Sequence, residues 1–113
     1  MQGFDQNLMV LTESAFEAVS RRVGQISLTD VNARLLRRLI YSTANRLEID
    51  KVGRVLVPAF LREFAGLESE AIIIGAGEYF EVWSQKRWSE QVAQLQDSEA
   101  TAQRFEPFTI LFG

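Results

Sequence analysis

The chain repeats part of itself, and the repeat limits what it can fold into. Val10-Leu11-Thr12 lies over Val82-Trp83-Ser84 at an offset of 72 residues, with Leu8 over Phe80 and Phe16 over Trp88. Each copy reads as an apolar strand, a hydroxyl cap and a helix that carries an aromatic residue. Upstream of the second copy stands a further hairpin and helix, Arg46 to Gly66, with no counterpart before the first copy in this sequence. A repeat of this kind cannot bury its apolar face alone. The pattern therefore predicts two pseudo-symmetric modules packed together, with the front of the first one missing.

Local signals divide the chain. Asn7 to Leu11 reads as a short strand. Thr12 caps a helix to about Val23, with Ala15, Phe16 and Val19 inward and Gly24 ending it. Ser27 to Asp30 offers a new cap, and the next helix runs to about Asn45. Val31, Leu35, Leu36, Leu39 and Ile40 share one of its faces, and Arg34, Arg37 and Arg38 the other. Arg46 to Ile49 and Arg54 to Val57 read as the two strands of a hairpin. Pro58 suits the first position of a helix that Gly66 closes. Glu70 to Gly75 is Ile-rich and predicts a strand buried on both faces. Tyr79 to Trp83 alternates as a strand, and Ser84 caps a helix carrying Trp88, Val92 and Leu95. From Asp97 to Arg104 the pattern fades. The tail from Phe105 is apolar again through Phe108, Ile110, Leu111 and Phe112, and packs on the body, adds an edge strand or meets a neighbour. The units are thus 1–28, a strand and helix remaining from the first repeat; 29–45, a connecting basic helix; 46–96, the complete second repeat; and 97–113, the tail.

The turn of the hairpin holds the chemistry. In Asp50-Lys51-Val52-Gly53-Arg54 the carboxylate can accept from the turn's backbone N–H groups, and Gly53 supplies a positive φ at low cost. Asp50 can also reach Arg54, locking the turn and aiming the guanidinium, with Lys51 at the tip. A purely structural clasp explains the spacing equally well. Trp83 and Trp88 fall on apolar-periodic positions and read as packing residues. Thr12 and Ser84 read as caps, not nucleophiles, and Gly75-x-Gly77 precedes a strand, so it is a turn and not a phosphate loop.

Charge narrows the functional classes. Residues 21–62 carry nine bases against three acids, whereas residues 63–113 carry nine acids against three bases, so the net charge of −3 hides a segregation. Clustered bases suit nucleic acid even in an acidic chain; solvated helix faces are the plain alternative. The absence of His and Cys removes the usual general base and the thiolate metal ligands. With no paired acids in a recognisable site, an enzyme is not expected, nor is any cofactor. No apolar run approaches membrane-spanning length, so a cytoplasmic protein without membrane or small-molecule partners is expected.

Taken together, Asp50 to Pro58, Leu61-Arg62-Glu63-Phe64-Ala65-Gly66-Leu67, Ile72 to Gly75, Glu81-Val82-Trp83-Ser84 and Trp88 closely resemble the second half of MraZ proteins. Gly3-Phe4-Asp5 with Leu8 to Leu11 resembles the end of that family's first half, and the helix bearing Arg34 and Arg37 its inter-repeat helix. The resemblance covers about residues 3–95. It implies an α+β fold, the double-split β-barrel of MraZ and AbrB-like swapped-hairpin proteins, built from two pseudo-symmetric hairpin/helix repeats of which the first is incomplete here. It implies a nucleoid-associated transcriptional regulator that binds double-stranded DNA at promoter direct repeats of a division and cell-wall operon and assembles as a homo-oligomeric ring. Carried over, Asp50 and Gly53 order the motif, Arg54 and Lys51 face DNA, and Arg34, Arg37 and Arg38 contact phosphate. The family's first D-x-x-x-R hairpin is not in this sequence. The competing reading is an oligomeric assembly protein that binds no DNA, in which the clasp is structural and the basic middle meets the acidic C-terminal part of the next subunit.

Overall fold

A computed structural model describes residues 1–111, with the side chains of all of these except Thr109 and Ile110. Its centre is a three-stranded antiparallel sheet of β1 (Leu8–Val10), β2 (Ile72–Gly75) and β3 (Phe80–Trp83) in the order β1-β3-β2. Among the described residues five α-helices accompany it, α1 (Glu13–Gly24), α2 (Val31–Thr43), α3 (Ala59–Ala65), α4 (Gln85–Gln96) and α5 (Ser98–Phe105), followed by a 3₁₀ helix, Glu106–Leu111.

The caps set the helix starts. Thr12 Oγ1 accepts from the Ala15 N–H at 3.1 Å, and Ser84 Oγ accepts from the Arg87 N–H at 3.2 Å. Asp30 does the same for α2, and Asp97 for α5. Pro58 stands at the cap of α3, one residue before its first turn, and Gly66 closes the helix at φ 66°. The faded stretch after Asp97 is helical: a carboxylate cap starts α5 where apolar periodicity is too weak to announce it.

Leu8, Val82, Leu61 and Ala65 form the buried core, backed by Val10, Val57, Phe64 and Leu67. α3 is thereby pressed on the sheet through i and i+4 positions. Trp83 is buried and meets Trp88 edge to face, with ring centroids 5.7 Å apart. α1 and α2 meet where Phe16 lies edge-on to Tyr41 with ring centroids 6.3 Å apart and where the Ser20 and Tyr41 hydroxyls bond; Val23, Ala33 and Ile40 are the buried apolar residues of the two helices.

Three expectations are corrected. β2 is an edge strand, and its Ile73 is 59% exposed while Ile72 and Ile74 are half-buried, so its two faces are not both covered. On α2 the apolar face is rotated: Ala33 and Ile40 are buried, while Val31 and Leu35 face solvent. The arms of the hairpin, Arg46 to Ile49 and Arg54 to Val57, form no strand among the described residues. A strand needs a ladder partner for its backbone groups, and here only the turn is closed. Of the tail, Phe105, Phe108 and Leu111 are exposed; Phe112 and the side chain of Ile110 lie outside the described residues.

The N-terminal segment is tied to the sheet by Asn7, which is fully buried. Its Nδ2 donates to Glu81 Oε2 at 3.0 Å, and its Oδ1 accepts from the Asp5 N–H at 3.3 Å. Glu81 Oε1 accepts in turn from Trp83 Nε1 at 3.2 Å. Gly3 donates its N–H to the Asn7 carbonyl at 2.8 Å, and a Cβ at Gly3 would stand 2.1 Å from Asn7 Oδ1. Asn7→Ala removes the partner of a half-buried carboxylate oxygen and of a backbone donor, and is expected to cost about 1–3 kcal/mol. Gly3→Ala, which displaces the same amide, is expected to fall in that range, measured by urea denaturation. A wild-type midpoint in both variants would refute the role given to Asn7.

Candidate nucleic-acid interface

Asp50 organises the turn as its position demands. Its Oδ1 accepts from the N–H of Arg54 at 2.8 Å and of Val52 at 3.0 Å, and its Oδ2 accepts from Arg54 Nε at 2.9 Å. The backbone closes around it, Asp50 N–H to Arg54 O at 2.9 Å and Gly53 N–H to Asp50 O at 3.1 Å. Gly53 has φ 84°, a region that disfavours any side chain. One carboxylate thus satisfies three donors in five residues. The Arg54 N–H is the largest influence holding the Asp50 carboxyl below its ordinary value of 3.8, with the Arg54 guanidinium and the N–H groups of Val52 and Gly53 adding to it against a desolvation that raises it.

The clasp uses only the Nε edge of Arg54. Its side chain is 79% exposed, and both terminal amino groups are without a partner among the described residues. Lys51 is exposed beside it at the tip. A guanidinium held at one edge and open at the other is preorganised for a bidentate acceptor such as a phosphate or a guanine edge.

The α2 arginines are placed differently. Arg37 Nη2 donates to Val23 O at 3.1 Å and to Ile26 O at 3.2 Å, so this guanidinium caps the C-terminal end of α1. Arg34 Nη1 donates to Leu28 O at 2.9 Å. Arg38 is exposed and has no such bond among the described residues. The structure therefore gathers Asp50, Lys51, Gly53 and Arg54 into one turn and puts Arg34 and Arg37 to work between α1 and α2. Sequence reasoning had no signal for that use, which depends on where α1 ends in space.

Sequence reasoning also missed Arg87. Its Nη1 donates to Gln6 O at 2.8 Å and to Phe64 O at 2.9 Å, joining α4 to the end of α3 and to the N-terminal segment. A polar depression of about 590 Å³ opens beside it between Gly66, Glu70, Ser84 and Glu90, and no hairpin residue lines it. Among the described residues no three metal-ligating side chains come together, and no helix is long and apolar enough to cross a membrane.

Comparison with known proteins bears on this geometry. A family model described as "MraZ protein, putative antitoxin-like" matches residues 40–108, which include the whole hairpin. Curated proteins named "Transcriptional regulator MraZ" are similar over most of the chain. The protein of Thermomicrobium roseum is 36% identical over 94 residues, 83% of this chain and 66% of the relative. That of Hydrogenovibrio crunogenus is 38% identical over 104 residues, 92% of this chain and 68% of the relative. That of Heliobacterium modesticaldum is 41% identical over 88 residues, 78% of this chain and 62% of the relative. The chain thus spans about two thirds of the length of these relatives.

Because its folded value is depressed, the Asp50 carboxyl stabilises the turn above pH 3.8 and loses that effect as pH falls through the folded value. Carbon-detected NMR titration is expected to place Asp50 below 3.8, with the amide shifts of Val52 and Arg54 moving alongside. In Arg54→Ala the midpoint rises only part of the way, since the largest influence is a backbone N–H that the substitution keeps. An Asp50 midpoint at or above 3.8 in the wild type would overturn this account of the clasp.

Proposed function

The chain belongs to the MraZ family, and from that membership and the hairpin geometry we propose that it is a DNA-binding transcriptional regulator that acts as an oligomer. The observation that carries this reading is the Asp50–Arg54 clasp. It supplies an exposed cationic tip, fixed in shape by a carboxylate yet open toward solvent on its donor side. Such a tip suits the negative, regularly spaced acceptors of a DNA duplex. The names of the relatives point the same way. Promoter direct repeats upstream of a division and cell-wall operon are the proposed target, and occupancy is the mechanism. Several tips carried by one oligomer engage successive repeats, and avidity makes up for modest single contacts.

The repeat in the sequence supports a two-module arrangement. In the sheet Leu8 pairs with Val82 and Val10 with Phe80, about the central pair Met9 and Glu81. Matched positions of the two copies exchange under that register, as a local two-fold requires. We take this as the local two-fold of a double-split barrel.

Phosphate contact in this reading centres on Arg54 and Lys51, with Asp50 and Gly53 holding the tip. Arg34 and Arg37 are engaged with carbonyls, and Arg38 is available to phosphate or to an acidic protein surface. A second reading is an assembly protein in which the hairpin clasp is structural and exposed bases such as Arg38 meet an acidic surface of the next subunit.

Fluorescence anisotropy of a labelled duplex from the promoter upstream of the chain's own coding sequence separates the two. Under the first reading, affinity falls steeply between low and physiological salt. Arg54→Ala then weakens binding by about tenfold or more and lowers the salt slope by about one per phosphate contact removed. Binding that is absent, or indifferent to Arg54→Ala and Lys51→Ala in a folded protein, would sink the DNA reading and leave the assembly one.

A further inference from the structure

Between the two cations of the hairpin tip stands an apolar side chain that the fold barely uses. Val52 is 71% exposed, and it lies inside the loop that Asp50 and Arg54 close. Ile49 and Leu56 are exposed as well, but they stand outside that closure, on the arms. The backbone on both sides of Val52 is pinned. Its own N–H donates to Asp50 Oδ1 at 3.0 Å, and the next N–H, of Gly53, donates to Asp50 O at 3.1 Å. The residue that fixes Arg54 thus also fixes where the Val52 side chain leaves the turn. Branching at Cβ restricts that side chain further, so little freedom is left to lose when something covers it. A valine held out in water adds little to folding, and tight turns ordinarily carry Gly, Pro, Asn, Asp or Ser.

Its neighbours decide what covers it. The bond from the Asp50 N–H to Arg54 O, 2.9 Å long, holds the turn closed. A surface that engages both Lys51 and Arg54 therefore comes within reach of Val52, which lies between them in the chain. On a DNA duplex the phosphates and base edges give the cations their acceptors. For an apolar side chain the major groove offers one matching group, the C5-methyl of thymine. We infer that Val52 is a specificity residue: its isopropyl group packs on a thymine methyl in the major groove, beside the acceptor that Arg54 holds. The inference rests on the DNA reading proposed above and deepens it, naming a base the tip selects and the side chain that selects it. Phosphate contacts position a protein on the duplex without carrying sequence; the Val52 contact carries it. Because methyl packing displaces no counterion, this discrimination persists where salt weakens overall affinity.

Deoxyuridine isolates the contact, since it keeps every hydrogen-bonding atom of thymine and lacks only the methyl. The labelled promoter duplex is prepared with its thymines replaced by deoxyuridine one position at a time, and anisotropy follows binding of the full chain. At a thymine within an engaged repeat, the replacement is expected to weaken wild-type binding about fourfold, the effect of one buried methyl. The factor is expected to be the same at low and physiological salt. Val52→Ala is expected to bind the unmodified duplex more weakly by a similar factor and to be indifferent to replacement at that position, as a direct coupling requires. Val52→Thr, which keeps the branched shape and one methyl, is expected to fall between the two. Both substitutions keep the backbone bonds of the turn, and an unchanged urea midpoint checks that they fold. Wild-type binding that is insensitive to every replacement would overturn this inference and leave the DNA reading standing. So would an effect that persists undiminished in Val52→Ala, since another group would then read the methyl. A wild type that binds no duplex would overturn the DNA reading and this inference together.

Discussion

The fold depends on a single amide buried where three pieces of chain meet. Asn7 has no exposure to water, so each of its polar atoms must find a partner inside the protein. It finds them in the Asp5 backbone and in the Glu81 carboxylate of the central strand. That requirement positions the N-terminal segment, starts β1 and forces a residue without a side chain at Gly3. Once β1 lies beside β3, the apolar side chains of both face α3, and the core of Leu8, Val82, Leu61 and Ala65 closes. Hydrophobic burial supplies most of the stability, but it has no direction; the amide gives it one.

The hairpin follows another rule. It has no ladder among the described residues, and its apolar side chains Ile49, Val52 and Leu56 are 73%, 71% and 81% exposed. Order at its tip comes from one ion instead: the Asp50 carboxylate accepts from the backbone N–H groups of Val52 and Arg54 and from the Arg54 guanidinium. The tip is thus shaped independently of the sheet, which lets it project from the body while keeping the Arg54 guanidinium in a fixed orientation.

What could be read from residue order was what acts over a few residues. The caps Thr12, Asp30 and Ser84, the stop at Gly66 and the clasp at Asp50 are interactions at separations of four residues or fewer, and each stands where its chemistry puts it. The repeat likewise located β1 and β3. Contacts between distant segments were not legible. The alternation of Arg46 to Ile49 states a capacity to form a strand, not the presence of a partner. An arginine row on α2 looks free until the end of α1 comes within reach of Arg37. Nothing in the spacing announced that Asn7 would meet Glu81, or that Arg87 would bind carbonyls of Gln6 and Phe64.

The pairing of Trp83 with Trp88 makes the protein its own optical instrument. These are the only two tryptophans, their rings meet edge to face, and the Trp83 indole N–H is bonded to the same Glu81 carboxylate that holds Asn7. Their emission therefore reads out the junction between the N-terminal segment and the sheet. The hairpin tip contains no aromatic residue, so events there leave the native signal unchanged unless they travel to the sheet. Intrinsic fluorescence thereby separates disturbance of the body from engagement of the tip, in one cuvette and without a label.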